Sequence, residues 1–554
     1  MIICPSKKMK NHIRSLLLVV MLWGSLLTAK GQSWYWIGFT DKNNTPYSLS
    51  DPGEYLSERA IARRTAQGIA IDSTDLPVNR AYIDSIAATG AEVLHASRWM
   101  NGITVKTGDT KQVAQWKRFP FVRTVERTRS VDTTGKSAFS KFGTPAVRND
   151  IDTSLYGASV YQVGLMNGQH LHNQGYTGEG MVIALLDAGY LQANGVSTLK
   201  HLFDGGKILG TKDFVNPASN IYNENVHGTM VLSVIGARLP GQMMGTAPDA
   251  SFWLIRTEDV ATESRVEEDY WIAGAEFADS VGADIINSSL GYTTFDDTLT
   301  NHTWADLDGK TTRITRAANL AAGKGMLVFN SAGNDGRNGW RYISAPADGT
   351  GVIAVAATDR FGVYAAFSSV GFPGRTPVKP DLAAMGSGTA VQNYNGDIVN
   401  RNGTSFSSPL LAGMTASFWQ AHRDVPATEI RRILTLSASQ SLSPDTLLGY
   451  GIPDFSRADL LLNQFSHAGN ISQAQTILFP NPFTDEITLV SPGDSHQSVR
   501  VEIIHASGAV AFSKQVDFTL TARIGELQGL QPGIYIVRIT GNGRTETHKI
   551  LKTR

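Results

Sequence analysis

Cysteine is almost absent: the 554 residues contain one, Cys4. A single cysteine excludes a disulfide scaffold and any multi-cysteine zinc or iron–sulfur site. Net charge is absent too, since 49 Lys+Arg balance 49 Asp+Glu. Without excess positive charge there is no broad phosphate-binding surface, which excludes nucleic acid as the main partner. The apolar run Leu16–Leu27 is about a dozen residues long, short of the roughly 20 that span a bilayer. With 42% hydrophobic and 9% aromatic residues, extended disorder is excluded as well. What is left is a large globular chain, long enough for about three or four domains at roughly 150 residues each.

The amino terminus supplies a compartment. A basic stretch at 7–14 (KKMKNHIR) precedes the apolar run, and Ala29-Lys30-Gly31 follows it as a small-x-small triplet. That order is a secretory signal peptide, with cleavage expected after Gly31. Cys4 lies ahead of the apolar run, so it is not a lipid-modified cysteine at the cleavage site and leaves with the signal.

Residues 34–40 read as a strand, 56–67 and 78–89 as helices, and 91–97, 101–106 and 121–126 as further strands. Together they describe a small α+β unit over 32–130. Residues 131–154, rich in Ser, Thr, Gly, Asp and Lys, have the composition of an exposed linker. From about 155 short apolar runs (181–186, 284–287, 326–329, 352–356) alternate with helical stretches up to 426–437. Strands apolar on both faces and separated by helices predict an α/β domain over 155–466, its parallel sheet covered on both sides. After a polar break at 467–476, residues 477–554 hold only alternating strands and turns, the pattern of a small β-sandwich.

Three segments of the α/β domain carry reactive groups. Asp187 ends an apolar strand, His227 opens an apolar helix, and Ser405 stands in NGTSFSSP ahead of another. Alone, each reads as a cap or a packing residue. Together they hold what nucleophilic catalysis needs. A serine hydroxyl is a weak nucleophile until a base takes its proton, and a buried carboxylate fixes that base's tautomer. Strand ends of a parallel sheet are where such groups gather. A fourth segment, VFNSAGNDG, presents Asn334 in a Gly-flanked turn, where its amide would donate to an oxyanion beside the Ser405 N–H.

On these residues the chain resembles the subtilisin-like serine proteases. Asp187-Ala188-Gly189 matches the family's Asp motif, His227-Gly228-Thr229 its His motif, and Gly403 to Pro409 its Gly-Thr-Ser-x-x-x-Pro motif. Ala332-Gly333-Asn334 matches the oxyanion motif, and Ser289-Leu290-Gly291 the strand that pairs with an extended substrate. Residues 245–256 resemble the strand after the His helix. The order Asp, His, Ser is the family's own. Ala188, Phe406-Ser407-Ser408 and Ser331 depart from its commoner residues without removing a reactive atom.

The resemblance implies a subtilisin-like parallel sheet with helices on both faces. It implies a secreted serine endopeptidase with Asp187, His227 and Ser405 as its triad, Asn334 in the oxyanion hole, and Ser289, Leu290, Gly291, Ala332 and Gly333 against substrate. No cofactor is required for that chemistry. Structural Ca²⁺ at Asp296, Asp297, Asp306 and Asp308 is weighed against a solvated acidic loop, which is favoured. Residues 32–130 resemble the propeptide of such proteases, with maturation in 131–154. Residues 477–554 resemble the C-terminal sorting domain of type IX secretion substrates in the Bacteroidetes, through FPNPF, GIYIVRIT and HKILKTR. The partners implied are protein or peptide substrates, the chain's own propeptide and outer-membrane secretion machinery. Export passes through the periplasm and outer membrane, ending in release or cell-surface attachment. The alternative is a non-catalytic surface-binding protein on a decayed protease fold. An α/β-hydrolase is disfavoured because no Gly-x-Ser-x-Gly is present, and an aspartic protease because Asp187 lacks a second Asp-Thr/Ser-Gly.

Overall fold

Alternation of side chains along one strand organises the amino-terminal unit. In the computed structural model, which describes residues 32–130, 155–466, 476–479, 481–490, 497–518, 521–541 and 543–553, β1 (Ser33–Phe39) is an inner strand. The predicted signal peptide with Cys4, the 131–154 linker and nearly all of 467–476 lie outside these residues. Tyr35, Ile37 and Phe39 point to one face of the sheet and join Ile86 and Trp116 in a core of their own. Trp34 points to the other face and packs against the core of the next domain. The unit continues through α1 (Glu58–Ala66), α2 (Arg80–Ala87), β2 (Glu92–Ser97), β3 (Gly102–Thr107), α3 (Lys111–Trp116) and β4 (Val122–Arg129). Its sheet is antiparallel in the order β2-β3-β1-β4. The helix α3 is absent from the sequence reading; it has six residues, too few to show a period, and only Trp116 of it is buried.

The second domain is built on a seven-stranded parallel sheet. Its elements are β5 (Val182–Asp187), β6 (Ile208–Asp213), α4 (His227–Gly236), β7 (Ser251–Arg256), α5 (Val266–Ser280) and β8 (Ile285–Ser288). They continue with α6 (Arg313–Gly323), β9 (Leu327–Ser331), β10 (Val352–Thr358), β11 (Leu382–Met385), α7 (Thr404–Ala421), α8 (Ala427–Ser437) and α9 (Phe455–Ser466). Strand order is β11-β10-β9-β8-β5-β7-β6. Every residue of β5 is buried. Ile183 and Leu185 face α4 and α7, while Val182, Ala184 and Leu186 face α5 and α6. A strand covered on both sides needs this continuous apolar run.

The last unit has two antiparallel sheets. One orders β12 (Ile477–Phe479), β13 (Ile487–Val490) and β16 (Thr521–Ile524) as β12-β13-β16. The other orders β14 (Gln497–His505), β15 (Val510–Phe518), β17 (Gly533–Gly541) and β18 (Arg544–Lys552) as β15-β14-β17-β18. Val501, Ile503, Val537 and Ile539 alternate into one core between them.

The first unit docks on α5 through buried charge. Asp279 accepts from Arg63 at 2.5 Å, Arg64 at 2.7 Å and Arg98 at 2.6 Å. Burial alone would raise its carboxyl, but Arg63, Arg98 and Arg64 outweigh that and hold it below the ordinary range. One turn earlier, Glu276 accepts from the Ser97 hydroxyl and from the Arg98 and Trp99 N–H groups. His95 is wedged between the rings of Phe214 and Tyr270, with Nε2 at 2.8 Å from the Phe214 carbonyl. Burial drives its pKa down to about 4, helped by Lys212 and opposed by Asp213 and the Phe214 carbonyl.

Two outcomes follow from this interface. Asp279→Ala removes the carboxylate that three arginines share, leaving Arg64 with Asp75 and Arg63 and Arg98 with backbone carbonyls. It should cost about 3–5 kcal/mol of docking, measured by hydrogen exchange in β1 and β3 of the full chain. Undocked, His95 titrates near 6.5; docked, near 4. The undocked form therefore takes up a proton between those values, and this part of the docking is intact above pH 6.5 and lost as pH falls toward 4. Glu276 and Asp269 are raised by burial and act in the opposite sense. The check is accordingly the difference between the parent and His95→Gln, which should dock with less acid sensitivity.

Candidate active site

Two glycines let two backbone segments meet at the end of β5, an inner strand. Gly189, just beyond β5, has φ 143°, and a Cβ there would come within 2.5 Å of the Asn225 nitrogen. Gly228 donates to the Gly189 carbonyl at 3.0 Å, and a Cβ on it would sit 2.3 Å from that oxygen. This close approach brings the first turn of α4 over Asp187. The Asn225 side chain accepts from the His227 N–H at 2.8 Å and fixes where the helix begins. His227 Nδ1 then lies 2.7 Å from Asp187 Oδ1, the two side chains being 2% and 1% exposed. The carboxylate also accepts from the Ala188 N–H at 2.7 Å. Its other oxygen is buried with no hydrogen-bond partner among the described residues, and Ala188 has no hydroxyl to offer. With the Nδ1 proton held by Asp187, Nε2 is the basic nitrogen of the neutral ring.

Ser405 sits in the first turn of α7, which packs against α4. Phe406 brings its ring centroid to 6.0 Å from that of His227, so the residue after Ser405 packs beside the imidazole. Among the described residues the Ser405 hydroxyl makes one long bond, 3.4 Å to the Ser289 carbonyl, while the Ser289 hydroxyl donates back to the Ser405 carbonyl at 2.9 Å. Ser289 and the residues that follow it are thereby tied to the turn that carries the hydroxyl. Leu290 is buried and its carbonyl accepts from Asn330 at 2.9 Å; Gly291 is exposed. A side chain at Gly291 would collide with the Ser344 hydroxyl, 2.1 Å from its Cβ position.

Asn334 follows β9 through buried Ala332 and through Gly333, whose φ is 109°. Its Oδ1 accepts from the Thr404 N–H at 2.9 Å and the Thr404 hydroxyl at 3.1 Å. The Thr404 hydroxyl oxygen also accepts from the Gly333 N–H at 3.2 Å. With its oxygen pinned to the residue before Ser405, the Asn334 amide has its two N–H groups as donors for the nucleophile's surroundings. Chemically, a hydroxyl, an imidazole with a fixed tautomer and an amide are grouped around one helix start, the group types that nucleophilic catalysis requires.

Sequence reasoning named these residues but not Thr404 or Asn225 as what holds them. Neither has a reactive role, so only hydrogen-bonding geometry reveals it. The departures also find partners: Ser408 donates to Asn287 at 2.8 Å and Ser407 to the Thr404 carbonyl at 3.0 Å. Asp296, Asp297, Asp306 and Asp308 do not form the calcium cradle weighed above. Asp297, Asp306 and Asp308 accept from N–H groups of their own turns, and Asp296 accepts from Glu263. The carboxylates that do gather among the described residues, with ligand atoms within 4.8 Å, are Glu258, Glu263 and Glu267.

Comparison with known proteins divides the chain in three. Residues 34–141 match the peptidase S8 propeptide domain of Bacteroidota, 178–451 the subtilase family, and 477–553 a secretion system C-terminal sorting domain. A thermostable alkaline protease of Halalkalibacterium halodurans is 28% identical over 316 residues, 56% of this chain and 77% of its own. Subtilisin NAT of Bacillus subtilis subsp. natto is 27% identical over 363 residues, 64% of this chain and 80% of its own. The crystal structure of MycP1 from Mycobacterium smegmatis is 22% identical with a TM-score of 0.44, covering 58% of this chain and 88% of that one.

Thr404→Val keeps the volume and the backbone but removes the oxygen between Gly333 and Asn334. It should lower kcat for peptide hydrolysis by about 10- to 100-fold with KM little changed, in steady-state assays.

Proposed function

We propose that this chain, which belongs to the subtilase family through residues 178–451, hydrolyses peptide bonds with Ser405, His227 and Asp187. It is a secreted serine endopeptidase, made as a zymogen with a propeptide and a sorting domain. The observation that carries the residue assignment is the buried 2.7 Å bond between Asp187 and His227 beside the Ser405 turn.

In the proposed cycle the Ser405 oxygen attacks the scissile carbonyl carbon while its proton passes to His227 Nε2. Asp187 keeps the Nδ1 proton in place and stabilises the imidazolium. The carbonyl π electrons move to oxygen, and the oxyanion accepts from the Asn334 amide and the Ser405 N–H. Collapse expels the amine, which takes the proton from His227, and leaves an acyl-enzyme. Water repeats the sequence, its proton going to His227 and then back to Ser405. Ser289-Leu290-Gly291 would hold the substrate backbone in extended form, with Ala332 and Gly333 lining the opposite wall. None of these steps needs a cofactor.

The proposed division is a signal at 1–31, a propeptide at 32–130, an activation segment at 131–154, a catalytic domain at 155–466, a linker at 467–476 and a sorting domain at 477–554. The sorting domain supports export by outer-membrane secretion machinery. Nothing in the comparisons supports the binding-protein alternative.

Ser405→Ala should abolish self-processing, casein degradation and labelling by a fluorophosphonate probe. The expected loss in kcat is about 10⁶, the size established for subtilisin itself and not one calculated from the distances above. Processing or casein cleavage by the pure variant at near-parental rate would refute the assignment.

A further inference from the structure

The propeptide's last strand ends between two acidic loops. One loop, 257–264, follows β7 and starts on the site itself, because the Thr257 N–H donates to the Asp187 carbonyl at 3.0 Å. The other, 292–300, continues directly from Ser289-Leu290-Gly291. Three bonds tie the loops into one rim. The Tyr292 hydroxyl donates to Glu258 at 2.9 Å, the Asp296 N–H to the Glu263 carbonyl at 2.7 Å, and the Glu263 N–H to Asp296 at 3.1 Å. Neither segment contains a Lys or Arg. The arginines that bracket the first loop, Arg256 and Arg265, are paired with Asp213 and Glu268, so the rim itself is negative.

Into it come two arginines. The register between β4 and β1 slips between Trp34 and Tyr35, opposite Thr128, and this bulge redirects the strand's last side chains. Arg127 pairs with Asp297 at 2.7 Å, on the loop after the substrate strand. Arg129 pairs with Asp259 at 3.4 Å, on the loop after β7, and lies over the Trp34 ring at 4.7 Å. Thr128 between them is buried, and Thr128 to Ser130 line a recess with Thr262, Ser264 and Asp296. The propeptide is the first polypeptide this enzyme meets, and these residues lie just amino-terminal to the segment assigned to maturation.

We propose that Asp297 and Asp259 are specificity-determining residues. They select peptides with Arg or Lys at two positions two residues apart on the amino-terminal side of the scissile bond. The surrounding carboxylates reject acidic peptides there, since like charges in one rim are mutually unfavourable. This rests on the peptidase reading above. Arg127 and Arg129 are then a built-in copy of the preferred substrate as well as an anchor.

The test uses the mature protein and quenched fluorescent peptides in which an Arg-x-Arg pair is walked along the amino-terminal half. Ala-x-Ala and Glu-x-Glu peptides serve as references. The best Arg-x-Arg peptide should exceed its Ala-x-Ala counterpart in kcat/KM by about 5- to 20-fold at low salt, as expected for two partly exposed ion pairs. Glu-x-Glu should be the poorest, and the advantage should shrink as salt rises. Asp297→Asn with Asp259→Asn should bring the Arg-to-Ala ratio close to one, and Lys at both positions should favour Glu-x-Glu. An unchanged ratio in these variants overturns the proposal. If they fail to mature, the parent decides: equal cleavage of Arg-x-Arg and Ala-x-Ala overturns it too. A parent that cleaves neither the peptides nor casein brings down the peptidase reading, and this inference with it.

Discussion

Asp187 is a carboxylate in a place where water cannot reach it, and the rest of the site is arranged around that fact. A charge buried at the end of an inner strand is unfavourable unless it is paired and hydrogen-bonded. Its support is narrow, consisting of the His227 ring and the Ala188 N–H. The ring reaches it only because Gly189 and Gly228 allow the strand end and the helix start to touch. Once His227 is held there, α4 fixes the position of α7 across their shared packing face, and Ser405 comes with it. The proposed catalytic geometry is thus a consequence of how one buried charge is satisfied.

Much of this was legible in the sequence, for reasons that are physical. An all-apolar strand such as Val182–Leu186 has few other places to go than the middle of a covered sheet, and the Asp that ends it marks the edge where groups gather. Asn334 and Ser405 could be named because their chemistry is rare in combination. Thr404 could not. Its part in the site is to hold an amide oxygen from a helix start some 70 positions away, and a hydroxyl next to a serine carries no periodic or compositional signal. The same limit applies to α3, too short to display a period, and to β12 and β16, short strands whose pairing is long-range. For the aspartates of 296–308 a ligand-like spacing was outweighed by the composition of a polar loop, and their oxygens cap the turns they stand in or join one loop to the next.

The amino-terminal unit addresses the protease at two regions of different character. At α5, Arg63, Arg64 and Arg98 surround a buried Asp279, and loss of one partner there would leave several charges unsatisfied. At the rim, Arg127 and Arg129 make more exposed, single contacts that are individually weak and readily exchanged. Tight binding and sequence discrimination are therefore carried by separate residues, so either can change without the other.

While 131–154 is intact, the arginines that meet Asp279 are supplied by the same chain, and their local concentration is independent of how dilute the protein is. A cut in that segment turns the contact into an association between two molecules, governed by mass action. Within a confined compartment the severed unit stays at high concentration and remains seated. On dilution it stays seated until its concentration approaches the dissociation constant, and occupancy falls from there. The buried charge cluster on α5 thus makes the seating of the amino-terminal unit depend on dilution once the chain between the two is cut.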